Sequence, residues 1–326
     1  MEKGNVNKKN NAKSNTQIDY IKKDNSKEEK RIPVEDVASM KVPSFLQLIA
    51  KELKEDKAAG SALLILIAIL LTVFICATFL TSPDVTRINL ATLNQPPSAQ
   101  YRLGTDGSGR DMLPQLFMGA RNSFLIAFGV TLFGGVIGTL VGLCAGFYGG
   151  RVDHIIMRVL DFISMLPRLM FIIVLVSLIP NYNVTTFILI VSAFSWISDA
   201  RLIRAKTLQQ NSLDYVQASK TLGTRNIVIM FREVLPNIGS MIIVNLTLSL
   251  AGNMGLETGL TFLGFGLPFN TPSLGTLIGY AATPENIQRR WWQWLPAALF
   301  IFIIMLCINF IGQAVKRAAD SKQRAA

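Results

Sequence analysis

Residues 213–237 read LDYVQASKTLGTRNIVIMFREVLPN, a polar and basic stretch set between two apolar runs of membrane length. Its surroundings decide the fold. Runs of about 20 apolar residues cross a bilayer core as helices. Working outward from the stretch, such runs lie at Val184–Ser198 before it and from about Val234 to Leu256 after it. Further out stand Gly60–Leu80, Ser123–Phe147, a run around Ile155–Pro180 and Trp294–Gly312. The run around Ile155–Pro180, third in chain order, carries Asp161 and Arg168, and the fourth, Val184–Ser198, is short. Half of the 326 residues are hydrophobic and only 16% are charged, against about 25% in a soluble domain. The fold class is an all-α membrane protein with six transmembrane helices.

Gly60–Leu80 lies too far from Met1 and is too long for a cleaved signal peptide, so it reads as a retained span. Cys76, Cys144 and Cys307 all fall inside apolar runs, where they serve as small buried hydrophobes and build neither a disulfide framework nor a metal site. His154 is the only histidine, which removes the usual His/Cys zinc site.

Lys and Arg concentrate on the cytoplasmic side of membrane proteins. With six spans, the N-terminal tail, residues 199–233 and the C-terminal tail share one side. The tail to Ala59 holds 13 Lys and Arg against 10 Asp and Glu. The middle segment holds Arg201, Arg204, Lys206, Lys220, Arg225 and Arg232. Both termini are therefore expected in the cytoplasm of a multi-pass plasma-membrane protein. The expected organisation is a cytoplasmic, largely disordered tail at 1–59, the first span at 60–80, an extracytoplasmic loop at 81–118, a core domain with five further spans at 119–314, and a cytoplasmic C-tail at 315–326. A basic tail beside a membrane reads as a topology determinant, with no nucleic acid as partner. Residues 44–53 form either an amphipathic helix lying on the membrane or an ordinary juxtamembrane linker. The Gly- and Pro-rich stretch after Glu257 suits a half-inserted or outer-surface segment capping a pathway.

Inside the spans, Gly134, Gly138, Gly142 and Gly146 share one helical face and point to close helix packing. Asp161 and Arg168, seven residues apart, are expected on one face of span three, lining a path, pairing, or snorkelling. Glu257 is a second pathway candidate. Asn245 and Asn253 in span five either line a polar cavity or bond a neighbouring helix. On the outer side, LGTDGSGRDML (residues 103–113) has glycines at 104, 107 and 109, which fit neither the dinucleotide fingerprint nor an EF-hand. A tight turn with Asp106 and Asp111 as helix-capping acids is the expected reading.

The opening stretch has helix punctuation. Ser212 stands where it can cap a helix with Asp214 in its first turn. Tyr215, Ala218, Ser219 and Leu222 follow at i, i+3, i+4 and i+7. Gly223 falls at the left-handed C-cap position, and a second helical run, Arg225 to Val234, precedes Pro236. The small-residue face suits either a groove in another protein or packing on its own chain.

QASKTLG, nine residues, then EVLP resembles the EAA loop of ABC importer permeases, which reads Glu-Ala-Ala, three residues, Gly, nine residues, Ile-x-Leu-Pro. Ala218, Gly223, Leu235 and Pro236 match in register, whereas Gln217 replaces the Glu, Ser219 the second Ala and Glu233 the Ile. LGTDGSGRDML, GARNS (119–123), AGFYGGRVDHIIMRVLD (145–161) and LETGLTFLGFGLPFNTPSLGTLI (256–278) are similar to the second, C-type subunit of the oligopeptide and dipeptide branch. The likeness covers roughly residues 100–320. It implies a type I ABC importer transmembrane domain whose cytoplasmic coupling helix docks into a cleft of the ATPase subunit through Tyr215, Gln217, Ala218, Ser219, Leu222, Gly223, Leu235 and Pro236. It further implies two ATPase subunits, a second homologous permease, an extracytoplasmic binding lipoprotein met through Asp106, Arg110 and Asp111, and peptide as substrate, with dipeptide, nickel or a metallophore as alternatives.

The chain holds no G-x-x-x-x-G-K-[ST] phosphate loop. It is expected to bind no cofactor and to be no enzyme itself, with ATP and Mg held by partner subunits. A secondary transporter would need coupling charges or paired broken helices at mid-membrane, and a scaffold subunit would tolerate damage to the docking face.

Overall fold

The computed structural model describes residues 45–80, 85, 87–180, 182–268 and 271–325, and nearly all of them are helical. The first two helices meet at Asp56. Helix α1 (Phe45–Glu55) carries Leu46 on its exposed side. Helix α2 (Lys57–Phe79) starts where the Asp56 carboxylate accepts the amides of Ala58 and Ala59, satisfying two of the four orphan donors of a helix start. That cap sets the span running three residues before the apolar run begins, so residues 45–55 and 57–59 of the expected tail are helical. The Lys- and Asn-rich start of the tail lies outside the described residues.

Helix α3 (Met112–Tyr148) is capped by Asp111, whose side chain accepts the Leu113 amide. Its 37 residues span about 55 Å at ~1.5 Å per residue, against a hydrocarbon core of about 30 Å, so it projects beyond the bilayer. Gly149 (φ +61°) and Gly150 (φ +51°) turn the chain into α4 (Gly150–Met165), a conformation costly for any residue with a side chain. Helix α5 (Arg168–Leu178) follows at 76° to α4. Pro167 causes the break: Leu166 before it is extended (ψ 131°), as sterics before proline require.

Helix α6 (Val184–Asn211) runs well beyond the apolar run that predicted it. A short helix α7 (Asp214–Thr221) leads to a continuous helix α8 (Asn226–Phe262), whose residues Met230–Val234 form a π turn. The expected separate segment before Pro236 is therefore the start of span five itself. Pro236 has no amide hydrogen to place, and the widened turn carries the helix past it. A short helix α9 (Leu274–Ile278) and helix α10 (Pro284–Arg289) precede α11 (Leu295–Ala325). The expected C-tail thus continues the last helix, and Arg317 pairs with Glu52 and Asp56 at the α1–α2 junction.

Among the described residues, α2, α3, α6, α8 and α11 are long and apolar enough to cross a membrane, and the bent α4–α5 pair makes a sixth span if counted as one. Helix α3 is the centre, packed along its length on α6. A Cβ at Gly138 would lie 2.7 Å from the Asp199 Cβ, and one at Gly142 would lie 2.5 Å from the Ala200 carbonyl oxygen. The glycine stripe is what lets the two backbones approach. Buried side chains fall into three clusters, around Leu116, Leu277 and Ile304, around Val130, Phe187 and Leu260, and around Leu143, Ile203 and Val216. Helix α2 is mostly exposed, burying Ala59, Ala62, Val73 and Ala77. In a membrane protein that apolar exposure faces lipid or neighbouring helices.

Candidate functional site

Three regions gather the residues singled out above. The first is α7 and its supports. Leu213 is the N-cap and makes no side-chain cap bond. Ser212 instead closes α6, its Oγ donating to the Gln209 carbonyl at 2.9 Å, so the expected cap is one residue off because α6 runs on to Asn211. At the other end Gly223 sits at φ +79°. Its amide donates to Lys220 O and that of Thr224 to Ser219 O, both at 3.1 Å, a Schellman closure.

The helix has two sides. On the inner side Val216 is buried among Leu143, Ile229 and Val234. The Tyr215 hydroxyl donates to Gln210 Oε1 (2.8 Å) and accepts from Asn237 Nδ2 (3.1 Å). Ser219 Oγ donates to the Glu233 carboxylate at 2.8 Å, and Glu233 lies in the π turn of α8. Lys220 reaches Asn211 Oδ1 at 2.6 Å and lies over the Phe147 ring. On the outer side Leu213, Gln217, Ala218, Leu222 and Gly223 are exposed, Leu222 at 84%. Tyr215 and Ser219 are therefore spent on their own chain, as is Gln217, whose Nε2 donates to the Asn211 carbonyl at 2.6 Å, and the outward face is Leu213, Ala218 and Leu222 with Asp214 and Thr221 exposed beside them. Leu235 packs against the inner cluster and Pro236 is exposed.

The second region lies within the spans. Asp161 and Arg168 do not share a helical face, because the chain bends at Pro167 between them. Asp161 is exposed and pairs with Arg201 at 2.9 Å, and Arg204 pairs with Asp153. These pairs join α4 to α6. Arg168 turns elsewhere. It lines a cavity of about 240 Å³ with Asp199, Ser195, Ser198 and Asn253, and its Nε and Nη2 are buried without a hydrogen-bond partner. Asn245 Nδ2 donates to Asp199 Oδ1 at 2.8 Å, and Asn253 Nδ2 to Thr131 Oγ1 at 3.0 Å. Both asparagines bond a neighbouring helix, and Asn253 lines the cavity as well. Asp199 was missed from sequence because the apolar run stops at Ser198, which placed it at the start of a loop.

The third region joins the loop before α3 to the segment between α8 and α11. Glu257 is fully buried, at 1% exposure, and accepts from Ser123 Oγ (2.9 Å) and Thr261 Oγ1 (3.0 Å). Ser123 Oγ in turn accepts the Leu274 amide, while Asn122 Nδ2 donates to Pro272 O. Residues 272–278 are thereby fastened to α3 and α8, and Glu257 is an anchor of this segment. In the preceding loop Asp106 is completely buried. Its carboxylate accepts from the amides of Ser108 and Arg110, from Arg110 Nε at 2.7 Å, from Gln115 and from the Tyr280 hydroxyl. Burial alone would raise its pKa, but the two amides and the Arg110 charge outweigh that and hold the carboxyl below the usual range. Asp106 thus closes its own turn and caps no helix. With no exposed surface, it cannot be the contact for a binding protein that sequence suggested. Asp111 is the α3 cap, and Arg110 is committed to Asp106 and Tyr280.

A bundle of long apolar helices with one bent span and polar groups buried between its helices is that of a polytopic membrane protein. Residues 138–325 match the family model described as binding-protein-dependent transport system inner membrane component, and the chain belongs to that family. It is 48% identical over 281 residues to the oligopeptide transport system permease protein OppC of Lactococcus lactis subsp. cremoris (strain SK11), covering 86% of this chain and 96% of that protein. It is 34% identical over 288 residues to the dipeptide transport system permease protein DppC of Bacillus subtilis (strain 168), covering 88% and 89%. It is also 37% identical over 238 residues to the inner membrane ABC transporter permease protein YejE of Escherichia coli (strain K12), covering 72% and 69%.

Proposed function

We propose that this chain is one of two permease subunits in an ATP-driven importer of peptides, oligopeptides foremost. A binding lipoprotein delivers the peptide at the outer mouth, two ATPase subunits bind ATP and Mg on the cytoplasmic side, and the permease pair alternates between outward- and inward-open states. Both termini and α7 lie in the cytoplasm in this reading. The likeness to oligopeptide and dipeptide permeases along most of the chain supports the substrate class.

The observation that carries the coupling is the two-sided build of α7. Its inner side is tied to α6 by Tyr215 and Lys220 and to α8 by Ser219 and Glu233. Its outer side offers Ala218 and the exposed Leu222. A helix fixed to two spans and open on the other side transmits a push from a partner to both spans. Nucleotide shifts the conformational equilibrium only through differential binding to the two states, and α7 is where that difference is delivered.

The test is Ala218→Arg and Leu222→Arg in the full complex, scored by ATPase co-purification and uptake of a radiolabelled oligopeptide in proteoliposomes. Loss of both is expected with the permease still folded. Retention of both would sink the coupling role.

A further inference from the structure

Arginine inside a membrane protein is expensive and needs partners. At the contact between α4, α5 and α6, Arg201 and Arg204 have theirs, in Asp161 and Asp153. Arg168 differs, since its Nε and Nη2 are buried and unpartnered. A buried unsatisfied group of this kind calls for an explanation. Its position supplies one. Arg168 lines two cavities, one of about 170 Å³ with Ser164, Phe194 and Ser198, the other of about 240 Å³ with Asp199 and Asn253. It therefore stands at the partition between them, with two buried guanidinium nitrogens that no protein group bonds.

We propose that Arg168 is a recognition residue of the translocation path that takes the C-terminal carboxylate of a peptide in transit, with Asp199 lining the same cavity as its counter-charge when no peptide is bound. The inference rests on the peptide-importer reading above. A guanidinium presents paired N–H donors in the fork that matches a carboxylate. One oxygen of Asp199 is held by Asn245, and Gly138 packs against its Cβ, so the acid is fixed on α6 by two neighbouring helices. The cavity is smaller than the ~300–1,000 Å³ typical of sites that enclose a drug-sized ligand. It has room for the end of a peptide, which suits a path that must read the terminus and ignore the side chains behind it.

The experiment uses the complete transporter in proteoliposomes and two radiolabelled forms of one peptide, with a free C-terminus and with a C-terminal amide. Uptake is normalised to occupancy of the binding protein by each form. Wild-type uptake of the free acid tests the underlying reading: without it, that reading falls and this one with it. Given uptake, the wild type is expected to favour the acid at least tenfold. Arg168→Gln should collapse that preference toward one by slowing the acid alone, and Arg168→Lys should retain much of it. A wild type that does not discriminate, or an Arg168→Gln that slows both forms by the same factor, overturns the proposal. Arg168→Gln combined with Asp199→Asn removes both charges and guards against misfolding of the single variant. The double variant should transport both forms without preference, and a persisting preference for the acid also overturns it.

Discussion

The hydroxyl of Ser123 on α3 donates to Glu257 on α8 at 2.9 Å and accepts the Leu274 amide at 3.0 Å. One side chain thereby ties two spans to the segment at 272–278. Removing it strands a buried amide and loosens a buried carboxyl, at a cost of about 1–3 kcal/mol per unsatisfied group. Ser123→Ala is expected to raise hydrogen exchange across 274–278 while leaving α7 unaffected. Unchanged protection there would show that the segment is held by its apolar contacts alone.

Asp106 makes the loop before α3 sensitive to acid. Its carboxyl titrates below its unfolded value of about 3.9. Its stabilising effect is therefore complete above that pH and is lost as pH falls through the lower folded value. Proteolysis within residues 87–111 should accelerate below about pH 4. Asp106→Asn, which leaves Arg110 without its charge partner, should cost roughly 3 kcal/mol and should open the loop at neutral pH with a much flatter acid response. If the wild type and the variant respond alike, Asp106 is not the titrating group.

Hydropathy located the spans because burying apolar residues in lipid is a property of each run by itself. It misplaced their ends because helices stop where caps stop them. Asp56 starts α2 before the apolar run, and α6 and α11 run on into polar sequence. The Gly223 turn was legible because left-handed backbone has a residue preference. Asp161 and Arg168 were misjudged because periodicity was carried through Pro167. The partners of Glu257 and Asp106 left no local trace: Ser123 lies 134 residues from Glu257, and Tyr280 lies 174 from Asp106. The two sides of α7 were blurred for a related reason, since Tyr215 and Ser219 take partners on α6 and α8 that spacing within α7 cannot reveal.

That two-sidedness separates support from docking. Ser219→Ala removes the bond to Glu233 from the inner side, without touching Leu222. It should weaken the tie between α7 and α8 by roughly 1 kcal/mol and leave ATPase association intact, while lowering peptide uptake per ATP hydrolysed. Measured stoichiometry equal to wild type would mean that Val216 and the Lys220 contacts suffice to hold α7.

The glycine stripe of α3 predicts a graded response to a single methyl group. At Gly142 a Cβ would lie 2.5 Å from the Ala200 carbonyl and 3.0 Å from the Arg204 amide nitrogen, both backbone atoms that cannot swing aside. Gly142→Ala must therefore push α6 away from α3, and overpacking of this kind costs about 1–3 kcal/mol. At Gly239 on α8 a Cβ meets nothing within 4 Å. There Gly→Ala should be neutral or stabilise by up to about 1 kcal/mol, since alanine is the better helix former. Thermal unfolding of the two variants in one detergent should give shifts of opposite sign, or a loss at 142 and no change at 239. Equal losses would mean that glycine serves α3 by flexibility, because a demand for flexibility does not depend on what a methyl group would strike.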